Sequence, residues 1–324
     1  MASATSGPSR ARRDRGRVSG RAELDAAPAT QTRAYPAPGA VLELLKPITW
    51  FPPMWAFLCG AVASGAAFGE AWLLIAAGIL LAGPLVCGMS QAVNDWFDRH
   101  VDAINEPQRP IPSGRMPGRW GLWVAVAWTG VSLAWGAMLG AWGLIATACG
   151  VALAWAYSAP PLRLKANGWW GNLACGLAYE SLPWITAAAV LTQAAPRPAV
   201  LAIALLYGLA AHGIMTLNDF KAIEGDRRSG IRSLPVMLGP ERAARVACWF
   251  MAVPQAVVVA LLLAMAAPLE AAIVAALLAG QAWAMRRMLT DPRRLAPWYN
   301  GTGVVQFVLG MLASAFALRA GAGL

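Results

Sequence analysis

Long apolar runs with few charges, each of about 17 to 23 residues, recur along the sequence and limit what it can fold into. A helix of about 20 residues spans the hydrocarbon core of a bilayer, and it satisfies its own backbone hydrogen bonds there. With 58% hydrophobic and only 13% charged residues, an ordinary soluble domain is excluded. We therefore predict an all-α, polytopic membrane bundle. Its nine transmembrane helices are expected at about 48–67, 71–93, 120–139, 141–159, 169–190, 199–217, 246–266, 269–285 and 299–318.

The distribution of basic residues predicts the orientation of this bundle. Of the 26 Lys and Arg residues, 24 fall in the N-terminal segment or in alternate loops, and only Arg197 and Arg319 fall on the other side. By the positive-inside rule the N-terminus is cytoplasmic and the C-terminus lies outside. We predict a disordered basic tail over residues 1–40 and one membrane domain over residues 41–324. The net charge of +10 is then a topology signal, so the bilayer is a partner and nucleic acid is not.

The most polar stretch between two predicted spans is NDWFDRHVDAINEPQRPIPSGR, residues 94–115, here called the first motif. No Gly or Pro occurs before Glu106, so the preceding helix is expected to continue into it. At about 100° per residue, four side chains then share one sector of about 100°: Asn94, Asp95, Asp98 and Asp102. Clustered oxygen ligands favour a hard divalent cation such as Mg²⁺. The alternative is a solvated helix end whose acids pair with arginines of the same stretch: Arg99, Arg109 and Arg115.

A second copy of this pattern, NDFKAIEGD at residues 218–226, follows another apolar span. This second motif also begins with Asn-Asp and ends with Asp, which suggests two related halves of one bundle. Ala222 stands where the first motif has Asp98, so the ligand set of a second metal stays open. Glu224 lies on the opposite side of a regular helix from Asn218 and Asp226 and is not expected to compensate.

Two acidic clusters on one face of the membrane are suited to holding two Mg²⁺ ions that neutralise a diphosphate and stabilise it as a leaving group. Basic residues beside the motifs and in the loop after the fourth span are candidates for a diphosphate clamp: Arg109, Arg115, Arg163, Lys165, Lys221, Arg227, Arg228 and Arg232. Each of these residues is also explained by the positive-inside rule alone, because Lys and Arg in cytoplasmic loops set the orientation of the bundle.

These motifs resemble those of the UbiA superfamily of intramembrane prenyltransferases, and the resemblance extends from Leu42 to about Leu318. The longer motif strings are more narrowly similar to the bacteriochlorophyll synthase branch, with the chlorophyll synthases as its sister branch. The resemblance implies metal ligands or their supports at Asn94, Asp95, Asp98, Asp102, Asp219 and Asp226. It implies catalytic roles for Asp98, Asp102, Asp226 and Arg109. Contacts to the diphosphate are expected from Asn94, Arg115, Arg163, Lys165, Asn218, Lys221, Arg227 and Arg232.

The same resemblance implies transfer of a geranylgeranyl or phytyl group from its diphosphate to the propionate of a bacteriochlorophyllide. The expected location is the inner membrane, including a photosynthetic intracytoplasmic membrane, with photosynthetic assembly proteins as further partners. A propionate is already ionised at neutral pH, so esterification needs no general base. Chlorophyllide esterification and prenylation of a quinone or haem-type ring are alternatives within the family. A cation-dependent transporter is the alternative from another class, but transporter sites lie near mid-bilayer, whereas both motifs lie at span ends.

Three other features have simpler explanations. The five cysteines are scattered singly, so thiol-based metal or redox chemistry is not expected. Glu180 lies inside the fifth predicted span, where it either lines a pocket or hydrogen-bonds a neighbouring helix. His212 is expected to be a hydrogen-bonded core residue, with an axial contact to a tetrapyrrole metal as the alternative.

Overall fold

The computed structural model describes residues 34–321, so most of the predicted basic tail lies outside the described residues. Helices account for most of the described chain, and two short 3₁₀ turns and a one-turn helix lie between them. We label the main helices α1 (Pro38–Leu45), α2 (Phe51–Ala63), α3 (Phe68–Asn105), α4 (Trp120–Met138), α5 (Gly140–Ser158), α6 (Gly168–Thr192), α7 (Pro198–Arg228), α8 (Pro240–Ala264), α9 (Pro268–Met288) and α10 (Pro292–Ala320).

Eight of these helices, α3 to α10, are long and apolar enough to cross a membrane. The chain is therefore an all-helical, multi-pass membrane protein, but the predicted count of nine spanning helices is not confirmed in the described residues. The first predicted span, 48–67, forms only the 13-residue helix α2. Pro52 and Pro53 lie in the first turn of this helix, where proline costs no intrahelical hydrogen bond. Gly65, with φ of +82°, follows its end.

The two helices that carry the motifs run past their predicted ends. As expected from the absence of Gly and Pro before Glu106, α3 stays helical through the acidic first half of the first motif and ends at Asn105. In α7 a 3₁₀ turn over Asp219–Ala222 interrupts the helix, which resumes over Ile223–Arg228. Each motif thus extends a spanning helix beyond its apolar part, and both carry their acids on a helical backbone.

Helices α2 to α10 form a ring in which each packs against the next, and α10 packs back against α2. Within this ring α6 also packs against α2, and α7 packs against α10. The largest apolar core lies between these helices and centres on Trp184, Tyr207, Phe307 and Met311. Large apolar side chains on the outer surface, such as Trp72, are exposed, as expected for helices facing lipid.

Two wide, π-helical turns interrupt the spanning helices where the ring surrounds a cavity. One covers Leu81–Cys87 in α3 and contains Pro84. The other covers Leu177–Ser181 in α6 and directly precedes Pro183. Such turns insert an extra residue into a helix and frequently mark functional sites. Here they change which side chains face the interior of the ring.

Candidate active site

Asp98 of the first motif is the acid that faces the loop between α5 and α6. Its Oδ2 lies 2.6 Å from Lys165 Nζ, and its Oδ1 lies 3.7 Å from an Arg163 guanidinium nitrogen. Lys165 is largely buried, and burial lowers the pKa of its ammonium, an effect that the Asp98 carboxylate opposes. The structure therefore brings the first motif together with the loop after the fourth predicted span, so that two cations contact one candidate ligand.

Asp95 and Asp102 lie on the inner side of the same helical stretch and share Arg109. Arg109 Nη1 donates to Asp102 Oδ2 at 2.9 Å and to Asp95 Oδ1 at 3.4 Å. Lys46, just after α1, donates to Asp95 at 2.5 Å. Asp95 is only 2% exposed, so this carboxylate anchors Lys46 and Arg109 within the protein. Its other oxygen, Oδ2, is buried and accepts no hydrogen bond from any described residue, so Asp95 stays a predicted metal ligand or support.

The second motif is held by two asparagines that the sequence did not single out. Asn172 Nδ2 on α6 donates to Asp219 Oδ2 at 3.1 Å. Asn300 Nδ2 on α10 donates to Asn218 Oδ1 at 2.8 Å. Both partners lie far from the motif in the chain, which is why no local sequence signal marks them.

The two motifs meet at the end of the bundle. A Cβ added to Gly225 of the second motif would lie 3.3 Å from Asn105 Nδ2 at the end of the first. Burial raises the pKa of Asp226, and the negative charge of Asp98 raises it further. Glu224, by contrast, is exposed and pairs with Arg227, consistent with a helix that directs it away from Asp226. Two acids from separate halves of the chain thus share one site.

The other basic residues predicted to clamp the diphosphate lie away from Asp98. Arg115 pairs with Glu43 of α1 and donates to the Gln108 carbonyl at 2.6 Å. Lys221 is exposed, and so is Arg232, whose backbone bonds the loop before α6: its N–H donates to the Ala166 carbonyl at 3.0 Å. These side chains, together with Arg227, do not contact Asp98 in the structure.

A cavity of about 370 Å³ opens beneath the motifs, between α2, α3, α5, α6 and the end of α7. Asn94 and Asn218, the first residue of each motif, both line it. Away from them its wall is mainly apolar and includes Phe57, Leu81 and Leu182. One continuous space therefore joins the two acidic motifs to an interior suited to hydrocarbon.

Glu180 and His212 are two ionisable residues that the sequence placed inside predicted spans, and both are surrounded by other helices of the bundle. Glu180 is buried, and its Oε2 has no hydrogen-bond partner among residues 34–321. Glu180 does not line the cavity. The His212 ring stacks on Phe250 with the centroids 4.0 Å apart, and Trp169 lies on the same cluster. A core role for His212 therefore fits better than an axial contact to a metal.

The donor set fits Mg²⁺, although no all-protein cage is present. Within residues 34–321, no group of three His, Cys, Asp or Glu side chains is arranged to hold a metal ion by itself. Mg²⁺ is usually bound by one or two carboxylates completed by substrate phosphates and water. Asp98 Oδ1 is buried and accepts no hydrogen bond from any described residue, which leaves a hard oxygen ligand available. The site thus fits a cation that arrives with a diphosphate.

Comparison with known proteins agrees with this geometry. Residues 50–317 match the UbiA prenyltransferase family. The chain is 60% identical to the bacteriochlorophyll synthase 33 kDa chain of Cereibacter sphaeroides, covering 89% of this chain and 95% of that protein. It is 38% identical to the chloroplastic chlorophyll synthase of Arabidopsis thaliana, covering 85% and 73%.

Solved structures have the same fold. A UbiA homologue from Archaeoglobus fulgidus bound to DMAPP and Mg²⁺ matches with a TM-score of 0.64 at 22% identity, over 87% of this chain and 99% of that one. The same homologue bound to GPP and Mg²⁺ matches with a TM-score of 0.62 at 21% identity, with the same coverage. The family match covers most of the chain, and it supports an enzyme rather than a transporter. The chain belongs to the UbiA prenyltransferase family.

Proposed function

We propose that this enzyme transfers a geranylgeranyl or phytyl group from its diphosphate to the propionate carboxylate of bacteriochlorophyllide. The observation that carries the proposal is the cavity that joins Asn94 and Asn218 to an apolar interior. The high identity to bacteriochlorophyll synthases over almost their whole length supports the acceptor. The lower identity to chlorophyll synthases makes chlorophyllide the less favoured acceptor.

In this proposal the diphosphate lies between the two motifs and the prenyl chain extends into the cavity. The cavity wall contains no Lys, Arg, Asp or Glu among the described residues, so the chain enters an uncharged space. Burial of hydrocarbon there is favourable by about 0.8 kcal/mol for each methylene group. The diphosphate remains at the cytoplasmic end, where Arg163 and Lys165 approach Asp98.

Two Mg²⁺ ions are proposed to bridge the motifs and the diphosphate. Asn94, Asp98 and Asp102 would hold one, and Asp219 and Asp226 the other, while Asp95 anchors Lys46 and Arg109. The bound ions would stabilise the negative charge that develops on the departing diphosphate. Asn172 and Asn300 keep the second motif in place through their hydrogen bonds to Asp219 and Asn218.

The basic residues around Asp98 neutralise it before the substrate binds. Lys165 and Arg163 contact the Asp98 carboxylate directly, and both are able to transfer these contacts to phosphate oxygens. Water must be kept from an allylic carbon that develops positive charge, and the apolar cavity excludes it. The acceptor carboxylate attacks that carbon as an anion, so the chain has no proton to remove.

We further propose an inner-membrane location with a cytoplasmic N-terminus, supported by the distribution of Lys and Arg. Both motifs are then reached from the cytoplasm. A photosynthetic intracytoplasmic membrane and association with photosynthetic assembly proteins stay predictions from the resemblance.

The proposed reaction is tested with the purified full chain in detergent, supplied with Mg²⁺, bacteriochlorophyllide and either geranylgeranyl or phytyl diphosphate. We expect a product whose mass equals pigment acid plus prenyl alcohol minus water, and which mild alkali splits back to acid and alcohol. Omission of Mg²⁺ should abolish it. A product stable to alkali, with a new carbon–carbon bond, would instead assign the enzyme to ring prenylation.

A further inference from the structure

A hydrogen-bonded pair, Gln91 and Tyr179, lies in the cavity wall below the motifs. Gln91 Nε2 donates to the Tyr179 hydroxyl oxygen at 2.8 Å. Cys87 Sγ lies 3.5 Å from the same oxygen and 3.4 Å from the Thr49 carbonyl oxygen, so its single proton is shared between these two acceptors. All three residues line the cavity. Because the oxygen accepts from Gln91, the hydroxyl keeps its own proton as a donor at the cavity wall.

The depth of this pair places it near the reacting carbon of a bound donor. Gln91 precedes Asn94 by three residues on α3, which sets it about 4.5 Å deeper along the helix axis. Tyr179 reaches the same level from the wide turn Leu177–Ser181 of α6. If the diphosphate lies at the level of Asn94 and Asp98, the first carbon of the prenyl chain lies next to the pair.

An acceptor carboxylate that reaches this level needs a hydrogen-bond donor. An anion in apolar surroundings is costly unless it is hydrogen-bonded, and no Lys, Arg or His among the described residues lines the cavity. Tyr157, the other tyrosine in the wall, directly precedes Ser158, whose hydroxyl accepts a hydrogen bond from Asn94 Nδ2 at 3.4 Å, so Tyr157 lies at the level of the first motif. Tyr179 is the phenolic donor that lies apart from both motifs.

We infer that Tyr179, oriented by Gln91, anchors the carboxylate of the acceptor and aims it at the first carbon of the prenyl diphosphate. This inference rests on the proposed function. One carboxylate oxygen accepts the Tyr179 proton as a hydrogen bond while the other forms the ester bond to carbon. The carbon–oxygen bond to the diphosphate breaks, and its electron pair leaves with the diphosphate. The Tyr179 proton stays on the tyrosine throughout.

The test compares binding of bacteriochlorophyllide free acid with its propionate methyl ester, followed by pigment fluorescence with full-length protein in detergent. Hydrogen bonds to charged groups are strong, so wild type should bind the acid roughly tenfold or more tighter than the ester. Tyr179→Phe should bring the two affinities close to equal. In turnover assays the same variant should raise the KM for the acid and leave the KM for prenyl diphosphate unchanged. Gln91→Leu should cause a smaller loss, because the hydroxyl is kept but is no longer oriented.

Tyr207→Phe is the matched control, because it also removes a buried hydroxyl but from outside the cavity. Tyr207 bonds Ser314 at 2.9 Å between α7 and α10. This variant should keep the preference for the acid. The inference is overturned if Tyr179→Phe retains the full preference in a protein that melts like wild type, or if it raises both KM values equally. Failure of wild type to form any ester would instead refute the proposed function, whereas the binding comparison needs no turnover.

Discussion

At the scale of single residues, Asp98 stands out because it is both a candidate metal ligand and the partner of two cations. Lys165 Nζ, 2.6 Å away, is largely buried beside it. A diphosphate with Mg²⁺ would compete for both members of this pair, offering phosphate oxygens to Lys165 and a cation to Asp98. The pair therefore keeps a half-buried acid and a largely buried base neutralised until the substrate replaces each of their partners.

Substitutions that remove one carboxylate charge should distinguish acids of the site, such as Asp98, from acids that lie outside it, such as Glu224. Asp98→Asn and Asp226→Asn keep the side-chain shape but lose a charged ligand, so turnover should fall by about 100-fold or more. Glu224→Gln should retain nearly full activity, because Glu224 is exposed and pairs with Arg227. Titrating Mg²⁺ against activity measures the effect for each variant. An equal rise in Mg²⁺ requirement for Glu224→Gln and Asp226→Asn would contradict the helical arrangement of the second motif.

The contrast between Asp98 and Asn172 illustrates how much of the site could be predicted. The acids of the first motif share one helix, so their common face followed from residue spacing alone. Asn172, Asn300 and Lys46 contact the motifs across the bundle, from positions at least 47 residues away in the chain. Such contacts depend on how helices pack, and one sequence contains no local sign of them. The contact between Lys46 and Asp95 was not predicted for the same reason, since Lys46 comes from another element.

At the scale of elements, α1 holds the start of the membrane domain against the first motif. Its apolar residues Leu44 and Leu45 are buried in the same cluster as Met89. Two polar contacts flank that packing: Glu43 pairs with Arg115, and Lys46 pairs with Asp95. The first contact is exposed, whereas the Asp95 end of the second is buried. The sequence predicted little here, because α1 lies at the boundary between the expected tail and the first expected span.

Loss of the Lys46 ammonium should destabilise the protein because Asp95 then remains buried with Arg109 as its sole cation. Lys46→Met keeps the length of the side chain, and the expected loss is about 3 kcal/mol, the size typical of a broken buried ion pair. Thermal unfolding in detergent measures it. Full stability of Lys46→Met would mean that Arg109 alone neutralises Asp95.

Loss of the Glu43 charge should have a much smaller effect on the same measurement. Exposed ion pairs contribute at most about 1 kcal/mol, so Glu43→Gln should melt close to wild type at pH 7. The hydrogen bond from Arg115 lowers the pKa of Glu43, an effect that slight burial opposes. The contribution of the pair is therefore present above the ordinary pKa near 4.3 and disappears as the pH falls through the lower folded value. Any difference between Glu43→Gln and wild type should vanish in acid.

At the scale of the whole molecule, the ring of helices places both motifs at one end and leaves two arginines at the other. Arg197 donates to the carbonyls of Gly321 and Leu318 at 2.7 and 2.6 Å, and Arg319 donates to the Ala66 carbonyl at 3.0 Å. Each thus satisfies carbonyls at or beyond the end of a helix, where internal partners run out. The two exceptions to the one-sided distribution of basic residues therefore have structural partners of their own.

The orientation of this ring in the membrane can be tested by thiol labelling from each side. In a chain whose five native cysteines are replaced, Ser113→Cys and Ser229→Cys place a thiol beside each motif, and Ala195→Cys places one in the turn between α6 and α7. An impermeant thiol reagent added to sealed, inside-out membrane vesicles should label the first two positions and spare the third, because Lys and Arg concentrate on the cytoplasmic side. Right-side-out vesicles should give the reverse pattern. If positions 113 and 229 were labelled from opposite sides, the two motifs would not share a face, and neither a bridged diphosphate nor a common cavity entrance would be possible.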